Sequence, residues 1–219
     1  MHLSALRASL TVVLGGLLGT GIMGCTPTAP PLRGSVAPVS LRLPPDELPP
    51  GGGHRKMVFT WHYTDPDFDL HGDGAARIAA PDSVRLDFFL PNGLGGRAVV
   101  IGGEVRAPGI EIVKGLVPPP PFLWGTLGQL RLGAVHDTVV RVDADTVRAD
   151  IGRDPRWRAV WVSGRLRSLE RIEGGRIEQR VIRATMDTVH FTDLRARRTL
   201  RLIVTRTESV DGFDEAIWR

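Results

Sequence analysis

In Lys56–Tyr63 every second residue is large and apolar: Met57, Phe59, Trp61 and Tyr63. Successive strand side chains point to opposite faces, so this run has one apolar face as a strand and none as a helix. Ser83–Leu90 repeats the pattern, with Val84, Leu86, Phe88 and Leu90 on one side and Arg85 and Asp87 on the other. Alternating or short apolar runs recur at Arg97–Gly102, Thr138–Val142, Thr146–Ile151, Ala159–Val162, Arg165–Ile172, Arg176–Ala184, Thr188–Phe191 and Thr199–Thr207. Turn formers such as Pro91–Gly96, Asp143-Ala-Asp145 and Glu173-Gly-Gly175 separate them. About nine to eleven strands on short turns predict an antiparallel meander. The 26 Gly and 17 Pro argue against a helical bundle.

One helix stands apart. Pro118–Pro121 lead into Phe122–Leu130, where Leu123, Leu127 and Leu130 fall on one face. Proline suits a first helical turn, and the spacing predicts a helix near 121–131. Gly125 and Gly128 weaken it by up to about 1 kcal/mol each, so packing has to hold it. A single short apolar helix cannot cover so many strands. The expected fold is therefore mainly β with a small α contribution: an antiparallel curled sheet, or half-open β-barrel, covered by a short apolar helix, over residues 55–219.

Ahead of this domain the chain changes character. Ala8–Leu18 is apolar and uncharged, shorter than the ~20 residues that span a bilayer, and reads as a secretory signal. Ile22-Met23-Gly24-Cys25 resembles the lipobox of bacterial lipoproteins. That resemblance implies a signal peptide over 1–24, cleavage before Cys25, a diacylglyceryl thioether on the Cys25 sulfur and N-acylation with a palmitate-like chain. Cys25 is the only cysteine, which excludes an internal disulfide and a cysteine-based metal cluster. One acyl chain holds reversibly, whereas two or three anchor stably. In the enteric bacterial sorting scheme, Thr26 in place of Asp after the cysteine implies outer-membrane delivery. Residues 25–54, rich in Pro and Gly, read as a tether, with Val39–Leu43 as a short strand or docking segment inside it.

The formal net charge is only +4, and Lys56 and Lys114 are the only lysines. Acidic residues interleave with the arginines, and the exported address also argues against a nucleic-acid partner. Arg176, Arg180, Arg183, Arg195, Arg197, Arg198, Arg201 and Arg206 read as a solvated outer sheet face. Asp65-Pro-Asp67-Phe-Asp69-Leu-His71-Gly-Asp73 spaces carboxylates like a calcium loop. It has Leu70 where that loop needs Gly and Ala76 where it needs a bidentate Glu, so it reads as an acidic turn. His62, His71 and Asp69 read as surface residues near a strand end, not as zinc ligands. Gly93–Gly96 precedes the strand-like Ala98–Ile101, which makes it a hairpin loop and not a dinucleotide fingerprint. No nucleophile elbow, phosphate loop or histidine-glutamate zinc helix occurs. No catalytic residue, metal or cofactor is therefore expected, and an enzyme is not the expected class. Phe213, Ile217 and Trp218 are costly to expose, so the tail 210–219 is expected to dock on the sheet.

A lipobox, a tether and a curled antiparallel sheet crossed by a small apolar helix is similar to the lipoprotein localisation factors. These comprise a periplasmic carrier and an outer-membrane receptor that is itself a lipoprotein. Phe59-Thr-Trp61 and the helix around Leu123-Trp124 carry the resemblance, loosely over residues 55–207. Family members begin the domain with a longer helix, where this chain has Pro44–Gly53. The resemblance implies an unclosed barrel whose concave side receives acyl chains under a lid of helices. Met57, Phe59, Trp61, Val84, Leu86, Phe88, Leu123, Trp124 and Leu127 would line that side and touch lipid or lipoprotein acyl chains. The same residues also read as a filled core. Two functions stand open: a lipid- or lipoprotein-handling module at the periplasmic face of the outer membrane, and a non-catalytic lipoprotein acting as a scaffold or assembly partner.

Overall fold

The computed structural model describes residues 26–37, 43, 53–79, 81–107, 115–133 and 137–218. Cys25, the signal segment and most of Val39–Leu43 lie outside them. The first half of the chain supplies β1 (Ser35–Val36), β2 (His54–Thr64), β3 (Asp69–Ala79), β4 (Ser83–Phe89), β5 (Gly95–Ile101) and β6 (Glu104–Arg106). A helix, α1 (Pro120–Thr126), follows. The second half supplies β7 (Thr138–Asp143), β8 (Thr146–Ile151), β9 (Arg156–Val162), β10 (Arg165–Glu173), β11 (Arg176–Arg183), β12 (Thr188–Asp193) and β13 (Arg198–Val210). All 13 strands form a single sheet in the order β1-β7-β8-β9-β10-β11-β12-β13-β2-β3-β4-β5-β6, every pairing being antiparallel. The sheet is open, with β1 and β6 at its two edges. This is the mainly β, curled-sheet architecture that the alternation predicts.

The strand order makes α1 a strap. β6 lies at one edge of the sheet and β7 one strand from the other, so the chain between Arg106 and Thr138 must cross the sheet's whole width. The helix sits in that crossing. The ring of its Phe122 lies 5.2 Å from Trp157 of β9 and 5.4 Å from Phe191 of β12. Those strands are three places apart in the order, roughly 14 Å if the sheet were flat. One ring touching both requires the sheet to curl around the helix. The core fills this concave side, and Phe122 and Leu123 are among its most buried side chains.

The helix is shorter than the spacing predicts. Gly128, at φ +84°, turns the chain out of the helix. The N–H of Gly128 donates to the carbonyl of Gly125 (3.1 Å) and that of Gln129 to Trp124 (2.9 Å), the paired bonds of a Schellman cap. Leu130 therefore falls beyond the helix end, although it still packs on the core.

Three strands are absent from the sequence expectation: β1, β3 and β6. Strand β3 carries Gly72 and Gly74, poor strand formers, and begins where the acidic turn was expected. The neighbouring aromatics explain why it forms. Register places Phe59 opposite Gly74 and Trp61 opposite Gly72; the Phe59 ring occupies the space a side chain at Gly74 would need, while at Gly72 the Phe89 carbonyl does so, with the Trp61 ring close beside it. Trp61 Nε1 then donates to the Asp73 carbonyl at 2.8 Å. The aromatic strand thus supplies side-chain packing for both.

The described segments 26–37 and 211–218 both lie on the outer face. The stretch read as a tether touches the sheet repeatedly: Ile177 N–H donates to the Pro27 carbonyl (2.9 Å), Ala29 N–H to Gly175 (2.9 Å) and Ala37 N–H to Val140 (3.2 Å). Beneath it, Arg158 makes a bidentate pair with Asp150 (2.7 and 2.9 Å) and donates to the Pro30 carbonyl (2.6 Å). The tail docks as expected: Phe213 packs edge-on to His54 (5.5 Å) and to Trp218 (5.9 Å), and Arg85 donates to the Ile217 carbonyl (3.2 Å).

Candidate functional site

The inward row of β2 runs Met57, Phe59, Trp61, Tyr63, and its opposite partners on β13 are Thr207, Val204, Leu202 and Leu200. Directly opposed residues share a face, so most of this row forms an apolar wall. Leu86 and Phe88 of β4 and Val189 of β12 extend it, and α1 faces it with Leu123 and Leu127. Between helix and wall lies an apolar gap of about 20 Å³. Its one polar lining group, the Thr126 hydroxyl, is already satisfied by donating to the Leu123 carbonyl at 2.7 Å.

Of the sequence-predicted contacts, Met57, Phe59, Leu86, Phe88, Leu123 and Leu127 meet around this gap. Trp61, Val84 and Trp124 are buried but lie outside it: Trp61 packs edge-on to Phe88 at 5.7 Å, and Val84 is fully enclosed. Pro118, Thr126, Val189, Leu200, Leu202 and Val204 complete the lining and were not predicted. The β12 and β13 residues alternate as the β2 residues do. What sequence could not supply was that β13 returns to pair with β2.

The gap is a sliver of space. About 20 Å³ is room for a single water, against roughly 300–1,000 Å³ for ordinary ligand pockets. In this arrangement the leucines of α1 fill the concave face themselves.

One end of the concave face is closed by a charge-balanced polar cluster. Asp193, 6% exposed, accepts from Gln179 Nε2 (2.7 Å), from the Ala196 N–H (2.9 Å) and from Arg198 Nη2 (3.2 Å). The Arg198 guanidinium carbon lies 5.8 Å from the Phe191 ring centre. Nearby, the Tyr63 hydroxyl donates to Asp65 Oδ2 at 2.6 Å. Burial and then that hydrogen bond push the phenol up to about 12, while the same bond holds the Asp65 carboxyl below its ordinary value. Asp65 also accepts from the N–H groups of Asp67 (2.8 Å) and Phe68 (2.7 Å). It is a turn-forming residue, as expected of the acidic stretch. Register sets His62 opposite His71, and His62 Nε2 lies 2.7 Å from Asp69 Oδ1. Among the described residues no set of three His, Cys, Asp or Glu side chains is placed to hold a metal.

The arginine expectation needs correcting at two positions. Register puts Arg183 opposite Val189, and Arg198 opposite Asp193. Both therefore belong to the inward face and not to the solvated outer one. Arg183 Nη1 reaches α1 and donates to the Thr126 carbonyl at 3.0 Å.

No protein-family model matches the chain, and no curated protein is matched. Among solved structures it is similar to a LolA superfamily protein from Nitrosomonas europaea, at 9% identity over 77% of this chain and 91% of that one, TM-score 0.49. It is also similar to a DUF1329 family protein from Desulfovibrio piger, at 6% identity over 78% and 91%, TM-score 0.49. A third is a domain described as that of an outer membrane lipoprotein-sorting protein from Vibrio parahaemolyticus, at 10% identity over 77% and 90%, TM-score 0.45.

Proposed function

We propose that the domain binds an acyl chain of a lipid or lipoprotein on its concave face, with α1 yielding its place to the ligand. We propose further that the protein is a lipoprotein held by Cys25 at the periplasmic face of the outer membrane. The observation that carries the binding reading is the apolar wall of β2, β4, β12 and β13 being covered by a strap of only seven helical residues. That helix lacks a side-chain N-cap, acidic residues in its first turn and basic residues in its last, so beyond its C-terminal cap and the Arg183 bond to Thr126 it is held by packing.

Magnitudes decide whether such an exchange is feasible. Baring Phe122, Leu123, Trp124 and Leu127 costs roughly 6–12 kcal/mol, at about 1.5–3 kcal/mol per large apolar side chain. A palmitoyl chain of about sixteen carbons returns roughly 12 kcal/mol, at ~0.8 kcal/mol per methylene. The helix stays down without ligand, and an acyl chain is the kind of ligand able to replace it. The membrane part of the reading rests on the lipobox-like Ile22–Cys25. No helix among the described residues is long and apolar enough to cross a membrane.

The second reading, a scaffold lipoprotein with a permanently filled core, draws on the smallness of the same gap. One experiment separates the two. A β-carbon on Gly125 would lie 3.8 Å from that of Val181, the mean separation across a disulfide. Gly125→Cys with Val181→Cys, in the full-length chain carrying Cys25→Ser, should pin α1 to β11 when oxidised. Binding of monopalmitoylglycerol is expected with the bond reduced and is expected to vanish with it formed. Equal affinity in both states, or no binding in either, refutes the acyl reading. The mass of the mature N-terminal peptide tests acylation of Cys25 independently.

A further inference from the structure

We propose that the end of the sheet formed by the β10–β11 and β12–β13 turns rests on the bilayer that holds Cys25, with Arg176, Arg195 and Arg197 against anionic phospholipid headgroups. This rests on the Cys25 anchor proposed above and gives the anchored domain a fixed orientation. The carrying observation is that the chain beside the anchor is clasped to the sheet. Thr28 forms an antiparallel bridge with Arg176. The Ile177 N–H bond to the Pro27 carbonyl and the Ala29 N–H bond to the Gly175 carbonyl flank it, both at 2.9 Å. Further on, Arg158 donates to the Pro30 carbonyl at 2.6 Å, and Ser35–Val36 pair with β7.

The bridge also sets where the anchor leaves the domain. β12 pairs with β11 only from Gln179 onward, Gln179 standing opposite Asp193. Pro27–Ala29 takes the stretch of β11 edge before it. Because the bridge is antiparallel, the chain read backward from Thr28 runs along β11 toward Gln179, and so toward the β12–β13 turn at 194–197. Cys25 is two residues before Pro27, and at about 3.8 Å per Cα step it lies within about 8 Å of it. A lipid on its sulfur therefore enters the bilayer beside these turns.

The charge at this end suits an anionic surface. Arg176, Arg195 and Arg197 are all exposed. Of the acids at 173–178 and 193–198, Asp193 pairs with Arg198 at 3.2 Å and Glu173 with Arg171 at 3.0 Å, which sets Glu178 against three arginines. Guanidinium forks suit phosphate oxygens, and each basic group at an anionic membrane surface favours contact about fivefold. Stable anchoring takes two signals, such as an acyl chain and a basic patch, and here both sit at one place. The β11–β12 turn, with exposed Met186, lies at the other end of β11. At ~3.3 Å per residue over Arg176–Arg183, that is about 23 Å away.

The test reads which end of the acylated protein meets lipid. Acylation blocks the Cys25 sulfur, so one added cysteine carries a fluorophore alone: Ala196→Cys in the β12–β13 turn, or Met186→Cys at the far end, both exposed positions. The labelled protein is placed in vesicles of phosphatidylcholine and phosphatidylglycerol that contain a headgroup-spin-labelled lipid as quencher. Quenching at 196 is expected to exceed that at 186 about fivefold or more. The difference is expected to shrink in phosphatidylcholine alone, in high salt, and in Arg195→Gln with Arg197→Gln. Equal quenching at the two positions, or more at 186, overturns the membrane face, leaves the Cys25 anchor standing, and turns attention to a protein partner for these arginines. A difference that survives both the neutral lipid and the double substitution also overturns it, because headgroup charge then plays no part. If the mature N-terminal peptide carries no acyl mass, the anchor reading itself falls and this face with it.

Discussion

The ring of Phe59 occupies the volume that a side chain on Gly74 would need. The two stand opposite each other on β2 and β3, and a β-carbon at Gly74 would also come within 3.0 Å of the Asp87 carbonyl. Gly74→Ala forces the ring or the neighbouring strand to shift and should cost about 2 kcal/mol, within the usual range for overpacking. Urea unfolding would measure it. In a Phe59→Leu background the same substitution should cost less, because the two positions share one volume. Additive losses would show that the ring does not set the limit.

Gly125 behaves oppositely. Its nearest neighbours would lie 3.5 Å or more from an added β-carbon, Leu169 Cδ2 being the first, an ordinary contact. Gly125→Ala should raise stability by roughly 0.5–1 kcal/mol through helix propensity, visible as a higher Tm. Gly128→Ala should lower it by about 1 kcal/mol, since φ +84° suits glycine and strains alanine.

Asp193 gathers Gln179, Arg198 and the Ala196 N–H around one buried carboxylate. Asp193→Ala leaves a largely buried guanidinium without its counter-charge and should cost about 3–5 kcal/mol by denaturant unfolding. Asp193→Asn, which keeps an acceptor oxygen, should cost less. Similar losses for the two would show that packing, not charge, is what the site requires.

Glu170 of β10 is pushed above its ordinary value of 4.5, first by burial, with Arg158 and Arg180 opposing. An acid raised in the folded state holds its proton longer folded than unfolded. Its contribution to stability is full below the unfolded value and is lost as pH rises through the folded one. Glu170→Gln should therefore be more stable than the parent near pH 7, with the difference closing toward about pH 4. Thermal unfolding across that range checks the sign, and a gap that widens on acidification contradicts the assignment.

The tail contributes through Phe213, Trp218 and the Arg85–Ile217 bond. Ending the chain after Val210 removes these and keeps β13 intact. A loss of about 1–3 kcal/mol is expected, the value of a large apolar side chain only partly buried. An unchanged melting curve would make the docking energetically idle.

Much of this molecule is legible in period-two alternation. Lys56–Tyr63 and Ser83–Leu90 announce their faces because each has one buried side. The helix is legible through Leu123 and Leu127, although its end is not, because the cap at Gly128 is a matter of φ and not of apolar spacing. Strand β3 escapes notice because its packing is supplied by rings on another strand, Phe59 and Trp61 of β2. The inward arginines escape for a related reason. Arg183 has the same local pattern as its outward neighbours, and only strand register assigns its face. The pairing of β2 with β13 escapes too, because it joins segments over a hundred positions apart and no local signal encodes it.

That pairing has a consequence for synthesis. The eighth and ninth strands of the sheet, β13 and β2, have eleven register partners between them, and they come from opposite ends of the domain. A chain still being made holds at most two separate meanders with an unbridged seam, and the seam can be sewn only after Val210 is in place. Contacts of such long sequence separation form slowly, so the polypeptide remains threadable until β13 has been made.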